Sequence, residues 1–373
     1  MRDTTALPAH MDRVSSPAQA LGSFVIGQDR AVRLLETMLA HDHLPSMIFS
    51  GQTGVGKRTL ALRLAQAANC EAAGTRPCGL CHNCRMIARM NHPDVKLLFP
   101  IKKPRPGAEP DEVAGVMMNR YGDFALDRRQ AAPDSTLQIP VDAIRWLRAE
   151  MGRPPLHARR RFVIILHAHR MMPVAANAFL KTLEEPQAQT TFILTTDSPA
   201  LLLDTIRSRC QSVRFGDLSS SQVRSWLIGS GQATGDKAEV AAAMGAGSLG
   251  RALGFIEEPE DVLPQLVVDY FGGGGGDGAA TALAAELEEV PPSVVVGAFL
   301  FLFRETLRVK LGLPSDYARR NPSVARRAVT VDVSYLRRAV KYLSGRSADC
   351  RLSGINQRLF FYTLVSALRP PAS

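Results

Sequence analysis

The stretch "SMIFSGQTGVGKR", residues 46–58, constrains the fold more than any other part of the chain. A short apolar run ends there in a glycine-rich loop. The segment after it, "KRTLALRLAQAANC", sets Leu60, Leu62, Leu64 and Ala65 among polar residues, as on a helix that opens at the loop. Strand, glycine loop and helix in that order are the setting in which a phosphate-binding loop is credible. The motif is G-x-x-x-x-G-K-[ST]. Gly51, Gly56 and Lys57 stand in place, and Arg58 occupies the Ser/Thr position.

Further strand-like runs are "DVKLLF" (94–99), "FVIIL" (162–166), "TFILTT" (191–196) and "SVRF" (212–215). Helical stretches lie between them, "VDAIRWLRAEM" (141–151) and "MPVAANAFLKTLEE" (172–185), the latter halted by Pro186. Alternating strands and helices predict a mainly parallel sheet covered on both faces, so residues 1–216 read as one α/β domain. Residues 100–135 are rich in Pro, Gly and charge without periodicity and read as a long insertion.

From about Ser219 the pattern becomes helical, and "GAGSLGRAL" sets glycines between helical segments. "FGGGGGDG" (271–278) cannot hold a regular element and reads as a link or loop. Beyond it, "VVVGAFLFLFRETLRVKL", "VSYLRRAVKYL" and "GINQRLFFYTLVSAL" are apolar-basic patterns at helical spacing. The expected organisation is an α/β core (1–216), a small helical domain (217–270) and a basic helical domain (271–373).

A chain of 373 residues exceeds one compact core, in keeping with that division. Its longest apolar run, Val294 to Phe303, is about half of a membrane span, and no early segment reads as a signal peptide. The expected location is the cytoplasm. The net charge of +10 is uneven: residues 301–373 hold 14 Lys+Arg against 4 Asp+Glu, which leaves 31 of each elsewhere. Such a surface suits phosphates, an acidic partner, or simply solvated helix faces.

Four of the six cysteines are bunched in "CEAAGTRPCGLCHNC", at Cys70, Cys78, Cys81 and Cys84. The spacing C-x7-C-x2-C-x2-C lets four soft thiolates close a tetrahedron around one structural zinc. A disulfide pair or a redox dithiol are the competing readings, the first disfavoured in a cytosolic chain. Cys210 and Cys350 stand alone and read as small core residues.

Gly51, Gly54, Gly56 and Lys57 keep the capacity to hold a phosphate on backbone N–H groups at a helix N-terminus. Productive Mg-ATP binding also needs a hydroxyl for magnesium, and Arg58 has no acceptor atom. Thr59 is one residue late, turned about 100° round the helix. A second magnesium-site residue, a carboxylate at the end of a hydrophobic strand, is missing too: "FVIILHAHRMM" offers His167 and His169 instead. Residues i and i+2 of an extended segment share a face, but no further ligand stands nearby in sequence.

Taken together, these motifs resemble the clamp-loader subunits of the bacterial replicative polymerase, a family of AAA+ proteins. The resemblance rests on "IGQDRAVRLLETML", "GQTGVGKRTLALRLA", the four-cysteine insertion, "HPDV" (92–95), "AANAFLKTLEEP" (175–186), "TFILTT", "IRSRCQ" (206–211) and, more weakly, "GAGSLGRAL". It implies an ATPase-like core, a three-helix lid and a helical collar that assembles subunits into a ring. It implies zinc on the four cysteines. It also implies that Arg209 of the "SRC" motif, Ser208, Arg209 and Cys210, reaches across a subunit interface to a neighbour's ATP, with Lys57 vestigial.

Within the family, loss of both magnesium-site residues points away from the hydrolysing gamma/tau motor and toward a structural subunit. The partners so implied are gamma/tau and delta in a hetero-oligomeric ring, the sliding clamp, and primed DNA. The alternatives are an active motor of the same family, a stand-alone zinc-containing DNA-binding protein and a P-loop nucleotide kinase. Finally, "LKTLEE" places Glu184 and Glu185 at the unfavourable end of a helix dipole, which hints at a cation nearby.

Overall fold

The computed structural model describes residues 21–101, 115, 137–152, 155–187, 189–257, 277–287, 292–320, 322–349 and 356–368. Most of the 100–135 insertion, most of the glycine run and Cys350 lie outside them. The chain divides into two compact units, Met1–Asp217 and Leu218–Ser373.

The first unit is built on strands β1 (Met47–Ser50), β2 (Val95–Leu98), β3 (Arg161–Ile165), β4 (Thr190–Thr196) and β5 (Gln211–Arg214). They lie in the order β2-β3-β4-β1-β5, and every pairing is parallel. All residues of β1, β3 and β4 are buried, which explains their unbroken apolar runs: both faces of the sheet are covered. The covering helices are α1 (Asp29–Ala40), α2 (Lys57–Ala68), α3 (His82–Ala88), α4 (Val141–Met151), α5 (Pro173–Glu184) and the single turn α6 (Asp204–Arg207). Pro173 opens α5 at a first-turn position where no N–H is needed, and Pro186 stands just past its end. Phe179 of α5 meets Phe192 of β4 edge to face, ring centroids 5.2 Å apart.

Two motif residues act here as fasteners. Gln28 of "IGQDR" is buried, donates from Nε2 to the Gly216 carbonyl at 2.8 Å and accepts from the Gly216 N–H at 3.0 Å. Asp94 of "HPDV" is 1% exposed and accepts the backbone N–H groups of Leu156, His157 and Ala158 at 2.8–2.9 Å. Burial works to raise its pKa, but these N–H donors, with His92 nearby, hold it below the usual carboxylate value.

A carboxyl whose folded pKa is depressed contributes stability that is present above its unfolded pKa and lost as pH falls through the folded one. Asp94→Asn is therefore expected to cost about 2–3 kcal/mol at pH 7 and to flatten the acid limb below about pH 4. Urea unfolding at the two pH values checks this. An unchanged acid limb in the variant refutes it.

The second unit is helical throughout its described residues. It comprises α7 (Ser220–Gly229), α8 (Gly235–Met244), α9 (Leu249–Glu257), α10 (Asp277–Glu286), α11 (Pro292–Lys310), α12 (Asp316–Arg320), α13 (Pro322–Thr330), α14 (Val333–Asp349) and α15 (Gln357–Ala367). Ser219 and Gln222 form a reciprocal capping box on α7. "GAGSLGRAL" is a helix stop: Arg251 donates to the carbonyls of Gly245 and Ala246, each at 3.1 Å, just past α8. Phe299, Phe303, Leu336, Leu343 and Phe361 form a core that also takes in Val240 and Met244 of α8. A Cβ on Gly297 would stand 3.1 Å from the Met244 carbonyl oxygen, a tight contact, so glycine there eases the close approach of α11 to the end of α8. No described helix is long and apolar enough to cross a membrane.

Candidate functional site

Parallel strands deliver their carboxyl ends to one edge of the sheet, and the glycine loop sits there between β1 and α2. The Gly51 N–H donates to Thr196 O at 3.1 Å, and a Cβ at Gly51 would lie 2.5 Å from the Phe215 carbonyl oxygen. Gly56 caps α2 at a φ of 103°. The loop therefore has the backbone form that the motif predicts.

Lys57 does not reach out of the loop. It is 9% exposed, and its Nζ donates to the carbonyls of Gly51 at 2.6 Å and Gln52 at 2.7 Å. Burial lowers its pKa to about 8, against the opposing pull of Asp197. Arg58 opens the helix where a hydroxyl would be needed, and Thr59 is exposed.

The end of β3 carries His167 and His169, as expected. No further ligand stands beside them in sequence, and the structure supplies one from the neighbouring strand end. Asp197 follows β4, and its Oδ1 lies 3.4 Å from His169 Nε2. Its Oδ2 accepts from the Thr53 hydroxyl of the loop at 3.1 Å, and its Oδ1 accepts from Ser198 Oγ at 3.0 Å. His169 Nδ1 is 3.0 Å from Thr196 Oγ1. His167 takes a left-handed φ of 49° and meets the His169 ring edge-on at 5.9 Å.

Burial lowers the pKa of His167 to about 4 and lowers that of His169 as well, with Lys57 and Arg170 adding to both shifts and Asp197 opposing them. Burial works to raise Asp197, but the histidines and its hydroxyl donors hold it low. The site thus contains neutral imidazoles and an ionised carboxylate.

The four cysteines converge. One Sγ from each of Cys70, Cys78, Cys81 and Cys84 lies within 4.8 Å of the others. Backbone N–H groups point at the sulfurs: Cys78 to Cys70 Sγ at 3.3 Å, Leu80 and Cys81 to Cys78 Sγ at 3.4 and 3.3 Å, and Cys84 to Cys81 Sγ at 3.5 Å. Burial works to raise Cys78, but these donors bring it to about 7, whereas burial pushes Cys70 and Cys84 up. Four sulfurs with N–H donors suit a soft cation that takes thiolates, so the residues present fit zinc.

The module is bolted to the core by polar residues that no local motif singles out. Asn69, wholly buried, donates to Arg160 O and accepts from Arg160 N, each at 3.0 Å. Asn83 donates to Asn69 O at 3.0 Å and contacts His92 Nε2 at 3.1 Å, while Gln66 donates to Cys84 O at 2.7 Å.

Arg209 lies on the turn after α6, 39% exposed at its side chain. Its Nη2 is 2.7 Å from Glu184 Oε1 at the end of α5. The cation that "LKTLEE" hinted at is therefore Arg209. Its Nη1 donates to Thr205 O at 3.0 Å, and Ser208 Oγ lies 3.4 Å away. Cys210 packs against the core, its thiol pushed up to about 12 by burial. Leu201 and Leu203 stand exposed on the segment leading into α6.

Residues 27–219, more than half of the chain, match the family model described as DNA polymerase III, delta subunit. The delta' subunit of Bacillus subtilis is 33% identical over 202 residues, 54% of this chain and 51% of that protein. The delta' subunit of Haemophilus influenzae is 30% identical over 233 residues, 60% of each. The tau subunit of Salmonella typhimurium is 32% identical over 207 residues, 54% of this chain and 26% of that protein. The aligned segments span half to three-fifths of the delta' relatives' length. The family match runs from Gly27, just before Gln28, to Ser219, past the SRC turn, and so takes in the loop, the cysteine module and Arg209. The chain belongs to the delta-prime family of bacterial DNA polymerase III clamp-loader subunits.

Proposed function

We propose that this chain is a non-hydrolysing structural subunit of the loader that places the sliding clamp on primed DNA. The observation that carries the reading is the state of the loop: Arg58 replaces the magnesium-ligand hydroxyl, and Lys57 is turned into the carbonyls of Gly51 and Gln52. A lysine bound to its own loop does not neutralise an incoming phosphate without first giving up two short hydrogen bonds. The loop then works as a rigid corner of the fold.

In a ring with gamma/tau and delta subunits, the chemistry of this chain would lie at its edge. Arg209 is exposed, already oriented by Glu184 and Thr205, and flanked by exposed leucines that suit a subunit interface. A guanidinium supplied by a separate chain stabilises charge on a transferring phosphoryl only when the ring is assembled, which couples hydrolysis to assembly. The basic helical domain (271–373) would serve as collar, and the four cysteines would hold one structural zinc. The reading places the protein in the cytoplasm.

Steady-state ATP hydrolysis by the purified chain, at saturating Mg-ATP with and without primed DNA, is the deciding measurement. Background turnover is expected in both conditions. Robust turnover would replace this reading with the active motor, for which the similarity to tau is the supporting observation.

A further inference from the structure

We propose that His167, His169 and Asp197 form a binding site for one divalent transition metal of the zinc class, distinct from the four cysteines. The donor atoms of the three residues lie within 4.8 Å of one another. The 3.4 Å between His169 Nε2 and Asp197 Oδ1 is the separation of two ligands that each stand about 2.0–2.2 Å from a shared tetrahedral ion. His167 completes the set through a backbone conformation that non-glycine residues seldom adopt. Its φ of 49° turns the chain left-handed just after β3, and its ring meets that of His169 edge-on.

The outer shell is also built. Thr196 Oγ1 holds Nδ1 of His169, which leaves Nε2 for the ion. Thr53 and Ser198 hydroxyls fix both oxygens of Asp197. A plain hydrogen bond between His169 and Asp197 accounts for neither the turn at His167 nor the convergence of the second ring. Three protein ligands would leave one tetrahedral position for water.

The donor set selects the ion. Magnesium takes oxygen ligands and keeps its waters, so two imidazoles offer it little. Zinc, cobalt or nickel bind imidazole nitrogen strongly and gain from the same pair. The edge of the sheet that lacks the residues for magnesium would thus hold an ion of another class. This inference does not depend on the clamp-loader role.

The test uses the full chain, purified under reducing conditions and titrated with zinc, then with cobalt as a spectroscopic probe. Wild type is expected to retain about two zinc ions per chain, one per ligand set. His169→Gln and Asp197→Asn should each reduce this to about one with the fold intact by circular dichroism, since the cysteine site is untouched. Thr196→Val, which keeps all three ligands, should weaken the second equivalent by about 10–100-fold. Cobalt at this site should give visible bands without thiolate-to-metal charge transfer, and they should persist when Cys78 and Cys81 are replaced by serine. Magnesium should not compete. A wild-type zinc count that both His169→Gln and Asp197→Asn leave unchanged would overturn the proposal.

Discussion

Arg209→Ala is expected to leave this chain folded and to slow ATP turnover by the assembled loader about 10³-fold, the low end of what a trans-acting arginine supplies. The side chain is exposed, and its pair with Glu184 lies at the surface, so its removal should change stability by less than about 1 kcal/mol. The large effect should appear only in the assembly. Arg209→Lys should recover a small part of the rate, because an ammonium restores the charge but not the planar fork that grips phosphate oxygens. Turnover is read with all loader subunits, clamp and primed DNA present, and thermal unfolding of the isolated variant serves as the control. Wild-type turnover in the Arg209→Ala assembly would sink the trans-arginine assignment and leave the fold-level reading standing.

The second large effect concerns the cysteines. Cys84→Ser should release about one zinc per chain, and loss of that ion, by substitution or by chelation, should lower the stability of the first unit by several kcal/mol, since structural zinc binds small domains with about 10–16 kcal/mol. The loss should be large because Cys70 and Cys84 are buried and tied into the Gln66, Asn69 and Asn83 network against the core. Without metal, burial favours the neutral thiol at those two positions, so four sulfurs would remain where four thiolates had been bonded. Metal analysis with thermal melts, with and without chelator, reads the outcome. A melting temperature unmoved by complete metal removal would refute a structural role.

Much of the first unit was legible because its signals are local. The five strands fall within one or two residues of the apolar runs, and the helix at 141–151 has the bounds that periodicity gave. The cysteine cluster was legible for the same reason: its ligands lie within fifteen residues. What the sequence hid depends on strand order. Asp197 is 28 residues from His169, and only the side-by-side placement of β3 and β4 makes them neighbours. Asn69 and Arg160 meet across 91 residues, and Arg209 reaches Glu184 from a different helix end. No periodicity encodes such meetings. Glu184 was half legible: a carboxylate at the wrong end of a dipole asked for a cation without naming it.

Most of the residues that decide the chemistry of the sheet edge lie past the end of their strand. Gly51 to Lys57 follow β1, His167 and His169 follow β3, and Asp197 follows β4. The core below closes without them: its ladders end at Ser50, Ile165 and Thr196. Descent could therefore rewrite the edge one side chain at a time while the body of the protein stayed fit for assembly. A lineage that stopped hydrolysing nucleotide would not need to lose its architecture, and an edge so vacated would be free ground on which selection could install a different ligand.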